Sequence, residues 1–205
     1  LKNPEPKEPQ TIRSYLKRTW KNINKKTVWG LFIINVLLFF ILYGAYLSYF
    51  PQLMVERLEA TDFQIGLFMS GFSVVTAITS SQLKVINRYL KPKKQLTVSF
   101  ILYMISMIIL SFAGNWWLLI VPLITFGLGH GMLIPGIQTL LVGFAPLNER
   151  AGFMSINGMV LRLGQTLGPL FIGLFYAIGG TGVAFLGGAV VAVAMIFISI
   201  FMVKL

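Results

Sequence analysis

The stretch "VLRLGQTLGPLFIGLFYAIGG", Val160 to Gly180, decides how the whole chain is read. It is almost wholly apolar and is long enough to cross a bilayer, which takes roughly 20 such residues. Yet it holds an arginine, Arg162. That residue lies roughly 11 residues into its apolar run, near mid-membrane at about 1.5 Å per residue. Snorkelling to the surface from there is difficult. A central arginine costs about 2.5–3.5 kcal/mol on insertion scales and more in simulation. Such a residue has to face protein or water. At a helical period, Ser155, Gly158, Thr166 and Pro169 fall within about 40° of it, and Gln165 is one turn away. The arginine therefore lies on the most polar stripe of its helix. It is a candidate for holding an anionic group, with a tie to helix-end carbonyls as the structural alternative.

The rest of the chain has the same character. It is 56% hydrophobic and only 11% charged, where soluble domains carry about a quarter charged residues. Six apolar runs have spanning length: 28–54, 63–83, 96–113, 116–145, 151–178 and 183–203. Alternating barrel strands would be about half as long. The expected fold is an all-α, polytopic membrane protein of six transmembrane helices. The chain has no cysteine and one histidine, His130. That excludes disulfides, thiol chemistry and a metal centre built from this chain's own histidines. No nucleophile–base set is visible, so an enzyme is not expected, and neither is a cofactor or metal.

The formal net charge of +11 is not spread over a soluble face and does not point to nucleic acid. Lys2, Lys7, Arg13, Lys17, Arg18, Lys21, Lys25 and Lys26 precede the first run. Lys84, Arg88, Lys91, Lys93 and Lys94 separate the second from the third, Arg150 the fourth from the fifth, and Lys204 follows the sixth. The alternate connections hold Arg57 beside Glu56, Glu59 and Asp62, then only short turns. The positive-inside rule puts the basic side, and both ends, in the cytoplasm. Residues 1–27 are expected to form a cytoplasmic linker, Pro-rich at first, and residues 28–205 the six-helix bundle. Within the linker, Ile12, Tyr15, Leu16, Trp20 and Ile23 share one helical stripe among basic residues. That pattern suits an amphipathic helix on anionic lipid, or else a solvated linker. The chain begins with Leu1 and shows no signal peptide, so a longer protein is expected around it.

Small residues mark where membrane helices approach closely. The second run has Gly66, Ser70, Ser73, Ala77 and Ser81. The fourth has Gly127 and Gly131, with Pro135 breaking the ladder. The fifth has Gly164, Gly168, Pro169, Gly173 and Ala177. Thr61 and Gln64 form a capping-box pattern at the start of the second run.

Three motifs carry a family resemblance. "GLGHGMLIPGIQTLLVGFAPLNERAG" has a G-x-G-x-G, a proline and a P-x-x-E-R turn at Pro146, Glu149 and Arg150. "LGQTLGPLFIG" has a G-x-x-x-G-P, without the adjacent glycine pair found in proton-coupled exporters. "LKVINRYLKPKKQL" keeps Arg88, Lys93 and Lys94 of a basic loop, with Asn87 in place of its aspartate. Over 28–205 the sequence resembles the C-terminal six-helix half of a major facilitator superfamily (MFS) transporter, most like bacterial drug-efflux members. The resemblance implies a secondary active transporter in the cell membrane, probing its two sides by alternating access. The implied activity is proton-coupled export, an antiporter of the multidrug-resistance kind acting on small amphipathic compounds. The implied partners are the N-terminal half, the substrate and membrane lipid, with no nucleic acid. The alternatives are a six-span homodimeric transporter and a non-transporting scaffold or receptor.

In such a half the first span lines the cavity, and Asn35, Phe39, Tyr43 and Tyr46 share a broad stripe of it; aromatic walls suit amphipathic ligands and cations. His130 is a cavity candidate, titratable near physiological pH, or a neutral hydrogen-bonding residue between helices. Gln138, Asn157, Arg162, Gln165 and Thr166 complete the cavity candidates. Gly127, Gly131, Pro135, Gly164, Gly168, Pro169 and Gly173 are the packing or gating candidates. Tyr49, Phe50, Trp116 and Trp117 read as interfacial belt residues.

Overall fold

A computed structural model describes residues 24–204, with the side chain of Asn148 excepted. The expected linker and amphipathic segment fall almost entirely outside the described residues. Among the described residues there is no strand. Helix α1 is Lys26–Leu58, α2 Asp62–Ser81 and α4 Pro92–Phe112, with a short α3, Leu83–Tyr89, between the last two. Helix α5 is Trp116–Phe144, followed by a 3-10 turn at Leu147–Glu149. The last helical stretch, Arg150–Met202, is broken at Gly179 and Gly180. We call its arms α6 (150–178) and α7 (181–202). Gly180 has φ +70°, a left-handed backbone open to glycine at little cost. With that break, α1, α2, α4, α5, α6 and α7 supply six segments long and apolar enough to span a bilayer.

Local chemistry sets the ends. Thr61 and Gln64 form a reciprocal capping box at the start of α2: the Gln64 amide donates to Thr61 Oγ1, and the Thr61 amide to Gln64 Oε1. Asn115 accepts from the Leu118 amide and caps α5. Pro92 stands in the first turn of α4, where its missing N–H costs nothing. Arg57 Nη1 donates to the Ser111 and Ala113 carbonyls at 2.9 and 3.0 Å, satisfying the end of α4 with a charge that suits its dipole.

Helix α1 is the centre of the bundle and α2 its most exposed member; 67% of the most apolar part of the first is buried against 11% of the second. Helix α6 lies along α1, α2 lies along α5, and α4 packs between α5 and α7. Glycines make these contacts. A Cβ on Gly164 would stand 2.7 Å from the Val36 carbonyl oxygen, and one on Gly44 would stand 2.5 Å from that of Gly168. The α1–α6 crossing thus brings backbone against backbone. Around Gly44, residues Phe40–Leu47 take the wider π-helical winding. In α5 the alternate glycines serve two neighbours: Gly127 and Gly131 meet Val75, Thr76 and Thr79 of α2, while Gly129 meets Ser99 and Tyr103 of α4.

Pro135 has no N–H to give the Gly131 carbonyl four residues back. Ser80 Oγ of α2 donates to that carbonyl at 3.0 Å. At the next residue, Gln95 Nε2 of α4 donates to the Met132 carbonyl at 2.9 Å. The carbonyl that Pro135 leaves without a helical donor is therefore satisfied by Ser80 of the neighbouring α2, as a bilayer requires.

The small-residue stripe of α2 turns out differently from expectation. Gly66, Ser70, Ser73, Ala77 and Ser81 are exposed, and α2 meets α5 through Phe72, Thr76, Thr79 and Ser80 instead. The six-helix bundle leaves that close-packing ridge uncovered.

Candidate functional site

The cavity candidates separate into an interior group and a surface group. Asn35 and Asn157 are interior: Asn35 Nδ2 donates to Asn157 Oδ1 at 2.6 Å, joining α1 to α6 with both residues buried. Tyr46 is also interior. It has no exposed surface and packs on Phe50, Phe72 and Phe126, with ring centroids 4.9, 4.8 and 4.6 Å away. The stripe expected to form one aromatic wall on α1 is thus divided, and the wider winding at Phe40–Leu47 lies across it. Phe39 stacks on Tyr43 at 5.6 Å, and Tyr43 keeps part of its ring exposed.

His130 is part of the interior cluster, with some of its surface exposed. Its Nδ1 shares a hydrogen bond with the Tyr103 hydroxyl of α4. The rings of Phe72, Phe126 and Tyr103 surround it at 5.6, 6.1 and 6.2 Å. Sequence reasoning missed Tyr103, Phe72 and Phe126 as its companions. The signal was faint: Phe126 precedes His130 by one turn, and the other two lie on separate spans.

Gln138, Arg162 and Thr166 are exposed, and Gln165 is partly so. The direction of Arg162 follows from its helix. Phe153, Asn157, Gly164, Gly168 and Ile172 form the buried face of α6 toward α1. Arg162 and Thr166, each two residues from Gly164, point the opposite way. Arg162 Nη1 donates to Gln165 Oε1 at 3.3 Å, its hydrogen bond among the described residues. Around it, Met159, Leu163, Thr166 and Leu167 form an open groove. That groove continues past Leu167 over Leu170, Phe171, Leu174 and Phe40.

At one end of the bundle, Arg88 stands on α3 and Lys93 and Lys94 in the first turn of α4. Between them and α5 lies a cavity of about 40 Å³, lined by Asn87, Gln95, Gly136 and Thr139 among others, which is room for a water. At the opposite end, Glu56 accepts from Gln52 Nε2 at 2.7 Å and from Thr181 Oγ1 at 3.1 Å. Gln52 also donates to the Tyr176 hydroxyl, and Tyr176 stacks on Tyr49 at 4.8 Å. Tyr49, expected at the lipid interface, instead joins α1 to α6. Of the packing candidates, Gly127, Gly131, Gly164 and Gly168 all sit at helix crossings. Gly173 approaches the Tyr49 hydroxyl, and Pro169 lies within α6. Among the described residues no group of acidic or histidine side chains could hold a metal.

The bundle thus combines polar groups at mid-span with helices that cross on glycine. The Major Facilitator Superfamily model matches residues 2–205, and the chain belongs to that family of membrane transporters; it is not an enzyme. It is 23% identical over 135 residues to the Quinolone resistance protein NorA of Staphylococcus aureus, across 66% of this chain and 34% of that one. It is 27% identical over 125 residues to the Multidrug resistance protein MdtG of Salmonella arizonae, across 60% of this chain and 31% of the other. The alignments thus take in about a third of each relative's length. The fold is similar to that of a peptide transporter POT (E310Q mutant) solved with sulfate. The TM-score is 0.69 at 21% identity, covering 86% of this chain and 37% of that one.

Proposed function

We propose that this chain is the C-terminal half of a proton-coupled exporter of small amphipathic compounds in the cell membrane, with its basic side facing the cytoplasm. It would work by alternating access against a six-helix N-terminal half. The observation that carries the reading is Arg162. It is a guanidinium near mid-span, turned away from its own bundle, with a glutamine as its partner. Lipid cannot accommodate it cheaply. A partner half or a water-filled site between halves can. The uncovered Gly66, Ser70, Ser73, Ala77 and Ser81 ridge of α2 supports the same partner, because such ridges let backbones pack closely.

In this reading, the Asn35–Asn157 bond and the Gly44–Gly168 crossing hold α1 and α6 together as one body. The Ser80 and Gln95 bonds hold α2 and α4 to α5. The two halves rock as units about a site between them. Arg162 offers a planar two-pronged donor to a carboxylate, from substrate or from the partner half. The groove from Met159 to Leu174 offers apolar surface to an aromatic body. The two relatives named for drug resistance support a drug-like substrate.

The test uses the full-length transporter in proteoliposomes with norfloxacin, a fluorescent quinolone that joins an aromatic body to a carboxylate. A proton gradient should drive its accumulation. Arg162→Ala should lose at least ten-fold of that rate at equal protein abundance, and Arg162→Lys should recover only part of it, lacking the planar donor pair. Full transport by Arg162→Ala would remove Arg162 from the site. Norfloxacin flux indifferent to the gradient would remove proton coupling.

A further inference from the structure

Three side chains of α6 converge on its outer side. Residues three and four apart are neighbours on a helix surface, which brings Gln165 and Thr166 beside Arg162. A guanidinium has five N–H donors and no acceptor. Gln165 answers it with its amide oxygen: Oε1 accepts from Arg162 Nη1 at 3.3 Å. The amide nitrogen is thereby turned away, and its two N–H groups have no partner among the described residues. Thr166 adds a hydroxyl. The hydroxyls of Thr125, Thr139 and Ser155 each donate to the carbonyl four residues back, at 2.9, 2.8 and 2.9 Å. Thr166 is exposed and makes no such bond among the described residues. Arg162, Gln165 and Thr166 thus present unspent donors side by side.

The charge around this cluster has one sign. Glu56 is in the last turn of α1, bonded to Gln52 and Thr181. Glu59 and Asp62 follow it where α1 gives way to α2. Glu149 precedes α6, about 20 Å of helical rise from Arg162 at about 1.5 Å per residue. No described acidic residue therefore stands at mid-span. Charges there are poorly screened, so a guanidinium attracts anions and repels cations more strongly than it would in water. Beside the donors, Met159, Leu163 and Leu167 wall a groove of about 440 Å³. Small-molecule sites have volumes of about 300–1,000 Å³ and combine such apolar walls with a few placed polar groups.

We infer that Arg162, Gln165 and Thr166 form an anion-selecting site, so that this half takes amphipathic anions and discriminates against cations of the same body. The carboxylate of the ligand lies on the three donors, and its apolar body lies along Met159, Leu163 and Leu167. A carboxylate offers about four lone-pair sites. The guanidinium takes two of them in its planar fork, and the Gln165 amide and the Thr166 hydroxyl serve the others. Gln165 is the residue that sets the specificity. Its oxygen is held by Arg162, so it shows the ligand donors where an acidic residue would show acceptors. The inference rests on the substrate site proposed above and adds to it the sign of the charge.

The experiment compares quinolones of one body on the full-length protein in nanodiscs. N-acetylnorfloxacin keeps the carboxylate and loses the basic amine; norfloxacin methyl ester keeps the amine and loses the carboxylate; norfloxacin carries both. Equilibrium binding is read from the quinolone's own fluorescence. The wild-type protein should bind N-acetylnorfloxacin at least ten-fold more tightly than the ester, with norfloxacin between them. Gln165→Glu sets an acceptor against Arg162 and should bring that ratio close to one. Thr166→Val keeps the shape and removes the hydroxyl; it should lower the ratio about three-fold, and it decides the matter should Gln165→Glu fail to accumulate. Equal binding of the anion and the ester by the wild-type protein overturns the inference, and so does a ratio that the variants leave unaltered. Variants that weaken all the quinolones alike and lower the unfolding temperature overturn it too, because Arg162 then answers a carboxylate of the partner half. Accumulation of the same compounds under a proton gradient separates this inference from the exporter reading. Gradient-driven flux without charge preference leaves the exporter standing and removes the anion site. Anion preference in binding without gradient-driven flux removes the exporter and leaves the anion site.

Discussion

Replacing Gly44 with alanine should separate α1 from α6. The new methyl would lie 2.5 and 2.6 Å from the carbonyl oxygen and carbon of Gly168 and 2.8 Å from Ile172 Cγ1, where ordinary contact begins at 3.4 Å. Two of these three atoms are backbone and cannot swing aside, so the helices must part by roughly 1 Å in a densely packed interior. Overpacking of this kind costs about 1–3 kcal/mol. A gap of that size also forfeits about a quarter to a half of the dispersion energy of the contacts it opens. The gain in helix propensity on exchanging glycine for alanine returns about 1 kcal/mol. The net loss should be about 1–2 kcal/mol, or roughly 2–8 °C in a chain of this size at about 2–4 °C per kcal/mol. Gly143→Ala is the matched control, because no atom lies within 4 Å of a Cβ there; it should leave the midpoint unchanged or raise it. The measurement is thermal unfolding in detergent, followed by retention of the monodisperse peak. A Gly44→Ala protein as stable as Gly143→Ala would refute the backbone-to-backbone crossing.

Three further outcomes are expected. Asn157→Ala should destabilise the bundle by stranding the Asn35 amide, and a double-mutant cycle over the pair should give a coupling energy of about 0.6–1.7 kcal/mol; additive effects would deny the bond. Ser80→Ala should cost about 1 kcal/mol in the wild-type background and much less after Pro135→Ala, because the Gly131 carbonyl then regains a helical donor; an equal cost in both, by thermal unfolding, would dissociate the serine from the proline. The chain has no cysteine of its own, so single cysteines report topology cleanly. A membrane-impermeant thiol reagent applied to intact cells should label Asp62→Cys and spare Lys94→Cys, and the reverse pattern would invert the orientation.

Spans were legible because apolar runs and the charges between them obey the length and solvation demands of a bilayer. The first run ends later than hydropathy suggests, since α1 continues through Pro51 to Leu58 with Glu56 and Arg57 bonded to neighbouring helices. Helix α3 escaped notice because seven residues rich in basic side chains show no spanning signal. The glycine crossings on α5 and α6 were visible as spacing, but their partners were not. Nothing local says that Gly164 meets Val36, or that Gly127 meets Val75. The π-helical winding of α1 lies where Gly44 meets Gly168 of α6, a contact that the local sequence does not announce. For the same reason Asn35 and Asn157 read as separate polar residues, though each is the other's partner. Arg162 is the opposite case. Its stripe could be drawn from sequence because a helix with one fixed buried face determines where every other side chain points.

The two-glycine break between α6 and α7 bears on how the protein enters the membrane. Gly179 and Gly180 are the non-helical residues joining two long apolar helices, and no charged side chain lies in that turn. Nothing ionised has to be carried across with it. The pair can therefore leave the translocon as a single hairpin, its turn leading. The energetics of that event reach back to Arg162. On the insertion scale each central leucine, isoleucine or phenylalanine contributes about −0.3 to −0.6 kcal/mol and an arginine about +2.5 to +3.5. Leu161, Leu163, Leu167, Leu170, Phe171, Ile172, Leu174 and Phe175 of the same helix together supply about 2–5 kcal/mol. The leucines that line the groove beside the arginine are thus also its ballast during synthesis. Making them polar to improve a binding surface would leave the hairpin stalled at the interface before any transport could be measured.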